Sequence, residues 1–275
     1  MSNKSALRPR YLKLHAVLVF AFLFAPIVVL VAFSFNQAKA GSAFTGFSTK
    51  WYTDLVHNAE VLKAFRNTLK VAIAATLFAT IIGTLAAFAL TRFRFKGRAG
   101  YSTLVFVSLV MPEVVMGISL LAFYVKFAHM RLGLTTVILA HITFCIAFVV
   151  VVVKARLAAF DNRLVEAAAD LGATPVQTFV RIVLPLAAPG IAAGAMLAFT
   201  ISLDDVVITF FTSGPGSTTL PLYILGQLKF GVSPSINALS SFVLLFSLVM
   251  LGIGGLISAR ATKRGAGGLD ATTLG

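Results

Sequence analysis

The chain has 275 residues, 59% of them hydrophobic and 12% charged, with a mean hydropathy of +0.95; this excludes an ordinary soluble domain and points to an integral membrane protein. A formal charge of +14 raises nucleic acid as a partner, but the basic residues fall at the ends of apolar stretches, where topology and lipid headgroups account for them, so nucleic acid is set aside. The single cysteine, Cys145, lies within such a stretch, which excludes a disulfide framework and reads as a buried, inert thiol.

Six stretches reach the roughly 20 apolar residues that a spanning helix needs: 14–35, 68–90, 102–127, 134–153, 184–203 and 238–257. The first follows Lys4, Arg8, Arg10 and Lys13 and precedes Ala38-Lys39-Ala40, the pattern of a signal peptide. Its apolar run exceeds the about 7–15 residues of a signal core, so it reads as an anchor. Most of the 23 lysines and arginines fall on alternate loops, in 4–13, 92–98, 154–181 and 260–264. Both termini are therefore expected in the cytoplasm.

The loops are unequal. Segment 36–67 is a long outer loop with Trp51 and Tyr52 at interfacial positions, 91–101 is a short basic inner turn, and 127–133 is a tight outer turn. Segment 212–237 carries Gly214-Pro215-Gly216, Pro221, Gly226, Gly231 and Pro234, which interrupt helix there. The expected organisation is a cytoplasmic tail over 1–13, a membrane domain over 14–259 and a cytoplasmic tail over 260–275, Gly-rich and read as disordered. Within the membrane domain, 154–183 is a cytoplasmic excursion far longer than antiparallel helices need.

That excursion contains "DNRLVEAAADLGATPVQTFVRIVLP", Asp161 to Pro185, which reads as two short helices meeting at a turn. Asp161 or Asn162 caps the first, Glu166 lies near its N-terminus, and Gly172 supplies the left-handed residue that ends it. Thr174, Pro175 and Gln177 form a capping box for the second, and Pro185 bends the chain as the fifth span begins. Local physics alone leaves a plain surface elbow open.

The spacing narrows the choice. Glu166-Ala167-Ala168, Gly172, Ile182, Leu184 and Pro185 together resemble the EAA-x3-G-x9-I-x-LP signature of binding-protein-dependent ABC importer permeases, and the resemblance extends to the six-span order over most of the chain. It implies an all-α membrane fold of six transmembrane helices with a cytoplasmic coupling loop, in a bacterial inner membrane. It also implies that Glu166, Ala167, Ala168 and Gly172 touch a separate ATPase. The expected assembly is a homologous second permease, two ATPase subunits and a periplasmic binding protein, with ATP and Mg held by the ATPases. The chain itself has no G-x-x-x-x-G-K-[ST] phosphate loop, so it reads as a transport subunit and not an enzyme, with no cofactor or metal of its own.

Three carboxylates lie where charge is costly. Asp204 and Asp205 follow the fifth span inside "ISLDDVVITFF", and Glu113 follows Pro112 near the middle of the third. A charge at the bilayer centre costs about 2.5–3.5 kcal/mol on insertion scales, so a partner or a function must offset it. No lysine or arginine lies well inside a span; a cationic ligand meets the need. For Glu113 a structural carboxylate facing Lys126 or a partner subunit stays open. The regions "LAFTISLDDVVITFFTSGPGSTTLPLYILGQLKFGVSPSINAL" and "VMPEVVMGISLL" are similar to polyamine permeases, importers of putrescine and spermidine. That resemblance implies a substrate path along Asp204, Asp205 and Glu113, with Tyr223 among the aromatic residues, beside Phe106 and Tyr124, that offer a cation–π face.

Other readings remain in view: an importer permease for a different small substrate, or a proton-coupled secondary transporter with the same intramembrane carboxylates. A membrane metalloenzyme finds no support, because His15, His57, His129 and His141 lack ligand spacing. His141, within "LAHITFCIAF", reads as a hydrogen-bonded helix-packing residue.

Overall fold

The computed structural model describes residues 9–38, 43–159, 161 and 163–270. Among these the regular structure is helical apart from one isolated bridge between Asn36 and Phe47. The helices are α1 (Pro9–Phe33), α2 (Lys50–His57), α3 (Ala59–Arg92), α4 (Arg98–Val110), α5 (Glu113–Ala122), α6 (Leu134–Ala158), α7 (Arg163–Asp170), α8 (Pro175–Thr178), α9 (Leu184–Asp204), α10 (Val207–Thr212), α11 (Leu220–Leu228) and α12 (Pro234–Asp270). Wider π-helical turns follow α5 at Phe123–Phe127 and join α8 to α9 at Phe179–Val183. Five stretches are long and apolar enough to span: Tyr11–Phe33, Ala59–Arg92, Leu134–Ala158, Pro175–Asp204 and Pro234–Leu256. A sixth is the pair Arg98–Val110 and Glu113–Phe127, bent by 114°.

That bend corrects the straight third span expected over 102–127. Steric conflict with the Pro112 ring drives the residue before it out of the helical region, and Met111 sits at φ −64°, ψ 132°. Pro112 follows at φ −56°, ψ 132°. Two consecutive extended residues redirect the chain, and α5 begins afresh at Glu113.

The excursion at 154–183 is also more helical than its composition suggested. Helix α6 runs to Ala158, and the helix from Pro175 continues into α9, leaving α7 and its turns between them. The expected bend at Pro185 is absorbed by the π turn before it, where the Leu184 amide reaches back to Phe179 O. At the other end, α12 continues to Asp270, into the segment whose glycines pointed to disorder. Asn162, Lys39 and Ala40, and residues 1–8 and 271–275 lie outside the described residues.

By its contacts the chain divides into two compact units, Met1–Leu62 with Ile224–Leu245, and Lys63–Tyr223 with Phe246–Gly275. In the first, Asn36 organises the long loop after α1. Its amide donates to Ala43 O at 2.7 Å and accepts from the Thr45 amide at 2.9 Å, while its carbonyl accepts from Trp51 Nε1 at 2.7 Å. Tyr52 pairs with the Ser34 hydroxyl at 2.7 Å. The two aromatics therefore clasp the loop to the end of α1 through their polar tips.

The second unit holds the core. Val149, Val150 and Val153 of α6 cluster with Ala79, Ala87 and Leu90 of α3, Ala187 and Ala198 of α9, and Ile208 of α10. Small residues recur because lipid tails are as apolar as leucine, so close fit, and not exclusion of water, holds such helices together. Cys145 is buried here, its thiol against Ala198 O at 3.6 Å. The α6–α9 contact is the most extensive, and it carries the fifth span past His141.

Candidate functional site

Helix α9 stops at Asp204, and α10 starts three residues later. Asp205 between them is extended, at φ −61°, ψ 133°. Its carboxylate replaces the missing helical acceptors. Oδ1 accepts from the Ile208 amide at 3.2 Å; Oδ2 accepts from the Thr209 amide at 2.8 Å and from the Thr209 hydroxyl at 2.8 Å. The side chain thus caps the first turn of α10 from the residue before its N-cap, Val206, where a carboxylate suits the positive end of the helix.

The remaining partner comes from α6. His141 Nε2 lies 3.3 Å from Asp205 Oδ2 and 2.9 Å from Thr209 Oγ1, and its Nδ1 lies 2.7 Å from Ser202 Oγ. His141 thus ties the last turn of α9 to the first turn of α10 across the break. It is 2% exposed and Asp205 is 9% exposed, so this network lies inside the protein, as the packing role expected for His141 requires.

The adjacent carboxylates therefore part company. Asp204, at the last position of α9, is exposed, whereas Asp205 is saturated by protein donors. Asp205 was expected on a substrate path beside Asp204; in the structure its carboxylate holds the break together. Glu113, first residue of α5, is exposed and lies within electrostatic reach of both aspartates. Among the described residues it forms no ion pair with Lys126. Helix α5 packs along α10, with Gly117 against the Phe211 ring, so each broken span brings its second half to the other. Tyr223 stands half-buried on α11, away from either break in sequence and element. Tyr124 is buried in the π turn after α5, which makes it a packing residue, and Phe106 is exposed on α4.

The sequence marked His141 as a hydrogen-bonded packing residue but did not disclose that it, Ser202 and Thr209 form one network with Asp205. Their only trace was polar spacing: Ser202, Asp205 and Thr209 recur at three and four residues around the break, and a mid-span histidine needs partners for two ring nitrogens.

The elbow between α6 and α9 has the geometry its sequence requires. Asp161 Oδ1 accepts from the Arg163 amide at 3.0 Å, at the start of α7. At its end Gly172 takes φ +80°, the Ala173 amide bonds Ala168 O at 2.9 Å, and the Gly172 amide bonds Ala169 O at 2.9 Å, the paired bonds of a Schellman turn. Thr174 Oγ1 then accepts from the Gln177 amide at 3.3 Å while Gln177 Oε1 accepts from the Thr174 amide at 2.9 Å. Glu166 and Ala167 are exposed and Ala168 is buried. Leu171, at the apex, is 89% exposed.

Broken spans, carboxylates at their breaks and a capped elbow between two spans together define a polytopic helical permease. The chain belongs to the family of binding-protein-dependent transport system inner membrane components, whose pattern matches residues 79–263. It is 44% identical over 250 residues to the spermidine/putrescine transport system permease protein PotC of Shigella flexneri, covering 91% of this chain and 94% of that one. It is 42% identical over 274 residues to the putrescine transport system permease protein PotI of Escherichia coli K12, covering 96% of each. In fold it resembles a bacterial ABC transporter involved in the import of the acidic polysaccharide alginate, with a TM-score of 0.73 at 20% identity, covering 91% of this chain and 94% of that one. It is thus a multi-pass component of an inner-membrane transport system.

Proposed function

We propose that this chain is the permease subunit through which an ABC importer moves polyamines, putrescine or spermidine, into the cytoplasm. The observation that carries the reading is the 44% identity, along 91% of the chain, with a spermidine/putrescine permease. The carboxylates supply a physical reason. An ammonium leaving water needs acceptors and countercharge. Asp204 offers both, because the last carbonyls of α9 add the negative end of a helix dipole to its own charge. Glu113 provides a second countercharge at the facing break. Half-helix ends lining a path are a recurring solution for cation passage. Asp205, saturated by His141 and α10, holds the break that presents Asp204.

The assembly is part of the proposal: a homologous second permease completes the path, two ATPase subunits bind ATP and Mg, and a periplasmic binding protein delivers substrate. Both termini face the cytoplasm, following the basic loops. Helix α7, with Glu166, Ala167 and Ala168 and the Gly172 turn, meets the ATPase, and its own caps make it stiff enough to transmit a displacement.

ATP-driven uptake of labelled putrescine and spermidine by the reconstituted full complex tests this. Asp204→Asn and Glu113→Gln are expected to lower uptake at least tenfold, about 1.4 kcal/mol, while binding-protein-stimulated ATP hydrolysis persists. Unchanged uptake in both variants removes the carboxylates from the path.

A further inference from the structure

The loop after α1 divides its aromatic side chains between two roles. Trp51 and Tyr52, expected at interfacial positions, are half-buried and turn their polar tips inward to Asn36 O and the Ser34 hydroxyl. Phe44 and Phe47 do the opposite: they are 53% and 71% exposed. Neither ring is loose. Phe44 stands edge-on to Phe33 at 6.2 Å, and Phe47 stacks on Phe35 at 5.2 Å. The Ser48 amide donates to Phe35 O at 2.7 Å and the Gln37 amide to Gly46 O at 2.9 Å, so backbone bonds hold the returning segment against the end of α1. Two large apolar rings are thus fixed with much of their surface uncovered, an arrangement that water disfavours.

The neighbouring helices point to what covers them. Helix α1 is apolar, and every residue from 11 to 29 is exposed. A partner subunit can cover one side of such a helix; lipid must meet the rest. The Phe33–Phe44 and Phe35–Phe47 contacts carry this apolar surface past the last turn of α1. Helix α2 supplies the polar component. Trp51, Tyr52 and Leu55 share its inward face, while Lys50, Thr53, Asp54 and His57 are exposed. Tyr52 lies against the same Phe35 ring at 5.2 Å, which links α2 to the exposed Phe47.

We propose that segment 43–57 is a membrane-surface element whose partner is the phospholipid leaflet at the end of α1. Phe44 and Phe47 enter the acyl boundary, and Lys50, with its Nζ 5.9 Å from the centre of the Trp51 ring, meets the headgroup phosphates. The element limits how far α1 can slide through the bilayer. It does not depend on which substrate is transported.

Trp51 is the chain's single tryptophan, so the wild type reports its own position. In nanodiscs of phosphatidylethanolamine and phosphatidylglycerol, lipids brominated near the top of the acyl chain should quench the full chain's fluorescence more than lipids brominated near its end. Aqueous iodide should quench it weakly. Phe44→Ser combined with Phe47→Ser should lose most of the lipid quenching; a double variant that quenches like the wild type overturns the proposal. Nitroxides on Phe44→Cys and Phe47→Cys, each with Cys145→Ala, extend the test to the chain in complex with its partner subunits. Oxygen should relax both labels more than a water-soluble nickel chelate does, at a depth of roughly 5–10 Å into the headgroup boundary, and a label on Thr53→Cys should show the reverse order. Greater access to nickel at both phenylalanine positions overturns the proposal. So does access to neither reagent in the complex with oxygen access in the isolated chain, which assigns the patch to a partner subunit. Should the cysteine variants fail to fold, wild-type quenching decides: iodide quenching stronger than bromolipid quenching places the segment in water.

Discussion

Two places in this chain end one helix and start another within a few residues, and they are built from opposite materials. At the elbow between α7 and α8, each bond joins residues no more than five apart. At the break between α9 and α10, the cap is local, but its counterpart, His141, comes from α6, more than sixty residues earlier in the chain. The elbow's turn geometry is therefore set by residues close to one another in sequence. The break is as firm as the α6–α9 contact that supports it, and it shifts only if that contact shifts.

The largest effect expected from this difference is at the break. Asp205→Leu strips the α10 amides and Thr209 of their acceptor and leaves His141 facing an apolar side chain; each buried polar group left without a partner costs about 1–3 kcal/mol, and several are left at once. The purified complex should lose thermal stability markedly or fail to assemble. Asp205→Asn keeps an acceptor for the cap and should cost about 1–2 kcal/mol, and His141→Leu should fall between them. If Asp205→Leu melts like the wild type, the break is not held as described.

An intermediate effect is expected where the turn after α10 meets the turn before α6. A Cβ on Gly214 meets the Leu132 carbonyl, and Thr136 Oγ1 reaches Thr212 O at 2.7 Å beside it. A collision with backbone cannot be relieved by a rotamer change. Gly214→Ala should destabilise by about 1–3 kcal/mol, read as a lower Tm. An unchanged Tm would show the two turns free to separate.

The contrast also explains what the sequence disclosed. The elbow was readable because its code is short: Gly172 for the left-handed turn, then Thr174, Pro175 and Gln177 for the next start. Apolar length located the spans. The break in the third span was half legible, since Pro112 signals a loosened helix but nothing local sets a 114° turn. The break at Asp205 was hidden because Val206–Phe211 continues the apolar run, and periodicity cannot tell a straight span from two half-helices. Separating Asp205 from Asp204 required knowing which residue of α6 faces which turn of α9, and that register is a property of the bundle.

The smallest effect is expected at the elbow, and it sharpens the comparison most. Thr174→Ala removes the hydroxyl that accepts from the Gln177 amide, and Gln177→Ala removes the reciprocal acceptor. Each should cost about 1 kcal/mol of local stability and little of the complex's Tm, because the two reciprocal bonds are solvent-exposed. Its effect belongs elsewhere. A frayed α8 no longer fixes the direction of α7, so binding-protein-stimulated ATP hydrolysis should become less tightly tied to uptake, with more ATP hydrolysed per polyamine carried. The double variant should show less than the sum of the single ones, since the two bonds form one box. Strict additivity, or a Tm loss as large as that of Asp205→Asn, would mean that the elbow draws its shape from the membrane bundle after all.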